Sequence, residues 1–126
     1  MPVEPVGEEL LTNGGMAGTA GWTVPSSGLT VNGCLATLDR NGGNQNAMTQ
    51  SVDTVFGGVY AFGGFVESIS HGFKILVSGN SQAMSVGWNY FEFTSGTGGS
   101  KTYTIQLSGN VNATAVFTNL FMKHIG

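Results

Sequence analysis

Charge is what this chain has least of. Only 9% of its 126 residues are Asp, Glu, Lys or Arg, against about 25% in an ordinary soluble domain. The four bases, Arg40, Lys74, Lys101 and Lys123, are scattered, and the net charge is −3. A nucleic-acid surface gathers its bases on one face, so nucleic acid is excluded as a partner. Cysteine is nearly missing as well. Cys34 stands alone, which rules out an intramolecular disulfide and a multi-cysteine zinc site; it is expected as a small buried hydrophobe. No apolar run approaches the ~20 residues that cross a bilayer as a helix, so no membrane partner is expected. The stretch from Met1 to Leu11 carries Glu4, Glu8 and Glu9 and no basic residue; it does not read as a signal peptide.

Glycine and apolar residues are what the chain has instead. It holds 21 glycines, eight phenylalanines and 40% hydrophobic residues, enough for one packed domain rather than a disordered chain. Short runs of Val, Phe, Tyr, Ile and Thr alternate with Gly, Asn and Ser, the pattern of an all-β domain. In Thr102 to Leu107 every second residue is apolar, which puts Tyr103, Ile105 and Leu107 on one face of a strand. Phe73, Ile75 and Val77 follow the same phase. Val59 to Phe62 and Phe65 to Val66 are separated by Gly63-Gly64, which predicts a bulge or bend. Tyr90 to Thr94 and Ala115 to Met122 complete the later strands. Earlier ones are expected at 10–11, 23–24, 29–31, 35–38 and 47–51. Turns are expected at Asn13-Gly14-Gly15, Asn32-Gly33, Asn41-Gly42-Gly43, Ser78-Gly79-Asn80, 95–100 and Ser108-Gly109-Asn110, where Asn and Gly accept positive φ. Eight to ten strands in a domain of this length predict a two-sheet antiparallel jelly-roll β-sandwich over residues 9–126. Residues 1–8 contain Pro2 and Pro5 without alternation and read as an extended N-terminal arm.

Groups that could do chemistry are few. His71 and His124 are the only histidines, and neither belongs to a metal-spaced pair. Asp39, Asp53, Glu67 and Glu92 are widely spaced and fit the solvent faces of strands. Gly96 to Thr102 lacks the spacing of a phosphate loop and leads into a strand rather than a helix. No catalytic residues, cofactor or metal are expected. Aromatic side chains offer more, because sugar rings stack on exposed Trp and Tyr while amides bind their hydroxyls. If Phe91 and Phe93 point inward, Tyr90 points outward and Trp88 shares its face. Trp88, Asn89, Tyr90 and Gln106 are therefore the candidate glycan-binding residues. The competing reading has Trp88 and Tyr90 packed at a sandwich edge or a subunit contact. Trp22 is expected in the core.

The order of several motifs carries a resemblance. Glu9-Leu10-Leu11-Thr12-Asn13-Gly14, Gly21-Trp22-Thr23-Val24 and Val31-Asn32-Gly33-Cys34-Leu35 are followed by Thr49-Gln50-Ser51-Val52 and Gly58-Val59-Tyr60-Ala61-Phe62. Tyr90-Phe91-Glu92-Phe93-Thr94 and Ala115-Val116-Phe117-Thr118-Asn119-Leu120 close the series. Over residues 9–122 this resembles carbohydrate-binding-module-like jelly rolls of the kind found in phage virion proteins. The resemblance implies a β-sandwich. It also implies a structural calcium in members that carry acids near both ends of the fold. Here Gly15-Met16 and Thr118 stand at two of those positions and only Glu9 remains, so no calcium is expected.

Such domains accompany polysaccharide-degrading enzymes or form virion parts. The expectation from the resemblance is a non-enzymatic capsid decoration (cement) protein at the virion surface, assembled in the host cytoplasm. Its partners would be the major capsid protein and itself, as a homo-oligomer such as a trimer. The arm, through Pro2, Val3, Glu4, Pro5 and Val6, would be the anchor. The alternative is a module that binds a neutral glycan, or a host-adhesion domain of a phage fibre.

Overall fold

The computed structural model describes residues 8–24, 28–40, 46–70, 72–107 and 112–126. The arm residues Pro2 to Val6, His71 and the turns expected at Asn41-Gly42-Gly43 and Ser108-Gly109-Asn110 lie outside the described residues. The elements in chain order are β1 (Glu8–Glu9), β2 (Leu29–Asn32), β3 (Leu35–Arg40), β4 (Asn46–Thr54), β5 (Val59–Ile69), β6 (Phe73–Val77), β7 (Asn80–Ala83), β8 (Gly87–Thr94), β9 (Gly99–Leu107) and β10 (Ala113–His124). They form two antiparallel sheets. Sheet A runs β2-β3-β10-β5-β8, with β1 added alongside β10, and sheet B runs β4-β9-β6-β7. The chain is thus an all-β antiparallel two-sheet sandwich, as the alternation predicts.

The period-two pattern decides what lies between the sheets. Sheet B contributes Met48, Val52, Phe73, Ile75, Val77, Tyr103, Ile105 and Leu107, all buried, while sheet A contributes Leu38, Tyr60, Phe62, Val66, Phe93, Phe117 and Met122. Rings meet across the layer, as in the Phe73–Phe117 pair at 5.2 Å between centroids. Trp22 is buried and packs edge-on to Tyr103 at 5.9 Å. The segment before it closes one side of the sandwich. There the Gln50 side chain accepts from the Thr12 N–H at 2.6 Å and donates to the Thr12 carbonyl at 2.9 Å. One residue on, the Thr23 backbone bridges to Thr49.

Two hairpins carry the turn chemistry expected of them. Asn32 pairs with Leu35 around Gly33-Cys34, and Val77 pairs with Asn80 around Ser78-Gly79. All four turn residues have positive φ, between 50° and 80°, which is the two-residue type I′ geometry. This corrects the expectation for Cys34. At the second turn position, with φ 62°, its side chain is exposed rather than buried.

Other elements differ from the sequence reading. The first strand is Glu8–Glu9, paired with His124 and Lys123, so Glu8 belongs to the sheet rather than the arm. Leu10 and Leu11 follow that strand instead of forming it. β7 is polar, Asn-Ser-Gln-Ala, and has no apolar alternation to announce it. Gly63-Gly64 does not interrupt β5, which runs unbroken through both. The irregularity lies in the partner strand, where β10 shifts register between Thr118 and Phe121 opposite the two glycines.

Candidate functional site

β8 is the edge strand of sheet A, and its register with β5 is continuous from Gly87 opposite Val66 to Thr94 opposite Val59. Phe93 is buried and Phe91 packs against the core, so the alternate residues Trp88, Tyr90 and Glu92 face outward. Two residues along a strand span about 6.8 Å. Trp88 and Tyr90 therefore stand side by side on the outer face, and Tyr90 is 49% exposed. The sequence pattern had placed these two rings together, and the structure does so.

Each ring is braced by an aromatic from a neighbouring strand. Phe65 of β5, opposite Trp88, meets it edge-on with centroids 5.3 Å apart. Phe121 of β10 lies against Tyr90 at 6.2 Å and 36°. Such bracing restricts side-chain rotation before any ligand arrives, and pre-organisation lowers the entropic cost of binding. Phe121 reaches this face because Gly63 lies between it and Tyr90 in register. A Cβ on Gly63 would fall 2.0 Å from the Asn89 carbonyl oxygen and 3.2 Å from the Phe121 ring. Glycine is required there by close approach. It leaves the ring of the neighbouring strand to cover the gap, an arrangement known from aromatic rescue of sheet glycines.

Below the rings, the row Glu92, Ala61 and Lys123 crosses β8, β5 and β10. The Tyr90 hydroxyl donates to Glu92 Oε2 at 2.5 Å. That hydrogen bond, chiefly, raises the Tyr90 phenol above its usual pKa. Tyr90 therefore stays neutral and offers its ring face. The site is a ledge of rings with a carboxylate at one end; Ala61 and Gly63 beside it are buried. Stacking on a planar ligand face and hydrogen bonding to its hydroxyls are what it can do. It brings together no nucleophile and base.

Two of the expected site residues do not belong to it. Asn89 is on the core side of β8 and buried. Its amide accepts from the Ser85 N–H at 2.9 Å and donates to the Ser85 and Gly87 carbonyls at 2.8 and 3.1 Å. It ties down the turn into β8 and is not available to a ligand. Gln106 is on β9, in sheet B, with the hydrophobic layer between it and the rings. Phe65, Phe121 and Glu92 join the site instead. The phase of β8 was enough to find Glu92; nothing local pointed to Phe65 and Phe121.

Gly15 and Thr118, two of the positions at which the resemblance implies calcium ligands, lie close together. The Thr118 hydroxyl lies 2.6 Å from the Cys34 carbonyl oxygen and 3.3 Å from that of Gly15. The donor set does not fit a calcium ion, which takes six to eight oxygens with carboxylates among them. The Thr118 hydroxyl donates to the Cys34 carbonyl at this point. The Glu9 carboxylate accepts from the backbone N–H groups of Met122 and Leu11 at 2.9 and 3.3 Å. Among the described residues no three His, Cys, Asp or Glu side chains gather.

No protein-family model matches the sequence, and no curated protein matches it significantly. Solved structures do match. The enzymatically active domain of tailspike protein 4 of bacteriophage CBA120 superposes with a TM-score of 0.67 at 16% identity, over 93% of this chain and 21% of that one. This chain thus spans about a fifth of the length of that tailspike domain. TmCBM61, in complex with β-1,4-galactotriose, superposes with a TM-score of 0.63 at 16% identity, over 93% of this chain and 99% of that one. A CBM4 structure superposes with a TM-score of 0.56 at 15% identity, over 89% of this chain and 83% of that one. At these identities the likeness is one of fold.

Proposed function

We propose that this domain is a non-catalytic glycan-binding module, of the kind carried by a phage fibre or tailspike, and that it binds on the outer face of sheet A. The observation that carries the reading is the ledge of Trp88 and Tyr90, braced by Phe65 and Phe121 and ending at Glu92. A sugar ring presents a C–H face that stacks on such rings and hydroxyls that hydrogen-bond at their rim. The fold shared with carbohydrate-binding modules and a tailspike domain supports the same reading.

Tryptophan fluorescence tests it directly. Trp22 is buried and Trp88 is half-exposed, so a ligand on the ledge should change the Trp88 signal. Binding glycans should shift the emission of the wild type and leave Trp88→Phe, which keeps only Trp22, unmoved. Trp88→Ala and Tyr90→Ala should each weaken binding about two- to tenfold, as lost stacking of about 0.5–1.5 kcal/mol implies. No response to any glycan, with Trp88→Ala behaving as wild type, sinks the reading.

A capsid decoration role is the second reading, with the virion surface as location and the major capsid protein and further copies of this chain as partners. It draws on the charge-poor composition and on Val55 and Phe56, which are 55% and 79% exposed at the β4–β5 turn. Co-sedimentation with capsids tests it. Removal of residues 1–7, which leaves β1 in place, should abolish co-sedimentation if the arm is the anchor; undiminished binding rejects that anchor.

A further inference from the structure

We propose that Glu92 makes the ledge selective for neutral glycans over anionic ones. The inference rests on the glycan-binding reading and names the ligand class of that site. Glu92 is exposed on the same face as both rings, and its carboxylate is held in place by the Tyr90 hydroxyl. That phenol has one proton, and Glu92 already receives it. The phenol oxygen and the carboxylate therefore present a ligand with acceptors and with no donor.

The surroundings of Glu92 sharpen this role. The β5 residues opposite Glu92 and Tyr90 are Ala61 and Gly63. Both are buried, so the space between β8 and β10 in those two rows is filled rather than open. A ring stacked on Tyr90 has its edge beside the carboxylate because the phenol is hydrogen-bonded to Glu92. Neutral hexoses bring O–H donors to that edge. A uronate, sialate or sulfate brings a negative charge and acceptor oxygens, which repel it and leave the carboxylate without a donor.

Lys123 lies across Ala61 in the same row but does not reverse the balance. Glu9 of β1 is its register partner on the far side, and the two interact electrostatically. Among the described side chains of sheet A, the acids are Glu9, Asp39, Glu67 and Glu92, and the only Lys or Arg is Lys123. Charges of one sign around a site repel like-charged ligands before contact and select against them after it.

A glycan array holding neutral oligosaccharides, β-1,4-galactotriose and cellohexaose among them, together with oligogalacturonates and sialylated and sulfated chains, tests the proposal on the full chain. The wild type should bind neutral members at least about tenfold tighter than anionic members of equal length. Glu92→Ala should weaken the neutral ones about tenfold, the loss expected for a hydrogen bond to a charged acceptor. Glu92→Gln should bring the neutral-to-anionic ratio to within about threefold, the like-charge repulsion being gone. Glu92 is exposed, so both variants should melt as the wild type does. If Trp88→Ala abolishes binding but Glu92→Gln leaves the ratio unchanged, the proposal fails and the glycan reading stands. A wild type that prefers anionic chains overturns it too. Failure to bind any member overturns both.

Discussion

The hydroxyl of Tyr103, on β9 in sheet B, crosses the hydrophobic layer and donates to the carbonyl of Gly63, on β5 in sheet A, at 3.1 Å. It also lies 3.2 Å from the Phe121 carbonyl oxygen. Gly63 and Phe121 are register partners immediately after the shift in β10 that brings Phe121 under Tyr90. The core therefore supports the outer face of sheet A through one phenol. Burial pushes that phenol well above its ordinary pKa, with the nearby Glu9 charge adding to the effect, so it remains a donor.

Tyr103→Phe removes this donor and leaves two buried carbonyl oxygens without it. Loss of a buried hydrogen bond costs about 1–3 kcal/mol when a partner is left unsatisfied. Chemical denaturation should show a fall of that size. Glycan affinity should fall as well, because the Gly63–Phe121 support is loosened. Unchanged stability would falsify the bracing role.

Gly63→Ala should be far more damaging than its single methyl suggests. The added Cβ would sit 2.0 Å from a backbone oxygen of Asn89, which cannot move without displacing β8. Overpacking of this kind costs about 1–3 kcal/mol or more, and a midpoint shift on urea unfolding should report it. Gly96→Ala is the control. Nothing lies within 4 Å of a Cβ there, so its effect should stay within about 0.5 kcal/mol.

Asn89→Ala and Gln106→Ala separate the site seen in the structure from the four residues expected on sequence alone. Asn89→Ala exposes the backbone groups of the β7–β8 turn to an unpaired state and should destabilise the fold by about 1–3 kcal/mol. Gln106→Ala sits on the opposite sheet and should leave glycan affinity within about twofold of wild type, where a real contact would be worth about tenfold. A tenfold loss in Gln106→Ala, measured by calorimetry, contradicts the placement of the ligand on sheet A.

Glu9 gives a prediction about pH. Its carboxyl is hemmed in although much of the residue remains open to solvent, and burial raises its pKa above 4.5, against the opposing pull of the Met122 and Leu11 N–H groups and of Lys123. A folded-state pKa above the unfolded one means the stabilising contribution is complete below the unfolded pKa. It is lost as pH rises through the folded value. Glu9→Gln keeps an acceptor for both N–H groups without the charge. Its melting temperature at pH 7 should equal or exceed that of wild type, and the difference should shrink towards pH 4. A variant clearly less stable at pH 7 would show that the charge itself is needed.

Calcium removal should be without effect. Thr118 donates where a cation would have to sit, and Glu9 is taken up by the backbone. A chelator should leave the melting temperature unchanged within about 1 °C, below the 4–8 °C that a 1 kcal/mol loss produces in a domain of 60–100 residues. A drop of several degrees would reveal a bound cation.

Local alternation determined a great deal by itself. It set the all-β class and the inward faces of β6 and β9. It set Trp88, Tyr90 and Glu92 outward against Phe91 and Phe93, because successive side chains in a strand alternate whatever the strand pairs with. The same phase also turns Asn89 inward, a consequence that follows from the sequence as surely as the exposure of Tyr90. Glycine and asparagine marked the hairpin at Gly33-Cys34, but not that the cysteine would take the second positive-φ position and so face solvent.

Only the tertiary structure decided which strands became neighbours. Gln106 and Tyr90 each alternate with inward apolar residues of their own strand but lie in different sheets, since pairing depends on contacts far apart in sequence. Phe121 is the clearest case. Counted by twos from the buried Phe117, it should face the core. The extra residue at the β10 bulge, where Asn119 has φ 49°, reverses the phase, so Met122 goes inward and Phe121 comes under Tyr90. A bulge is accommodated by its partner strand, here by Gly63 and Gly64 and by the Tyr103 hydroxyl. No reading of β10 alone contains those groups.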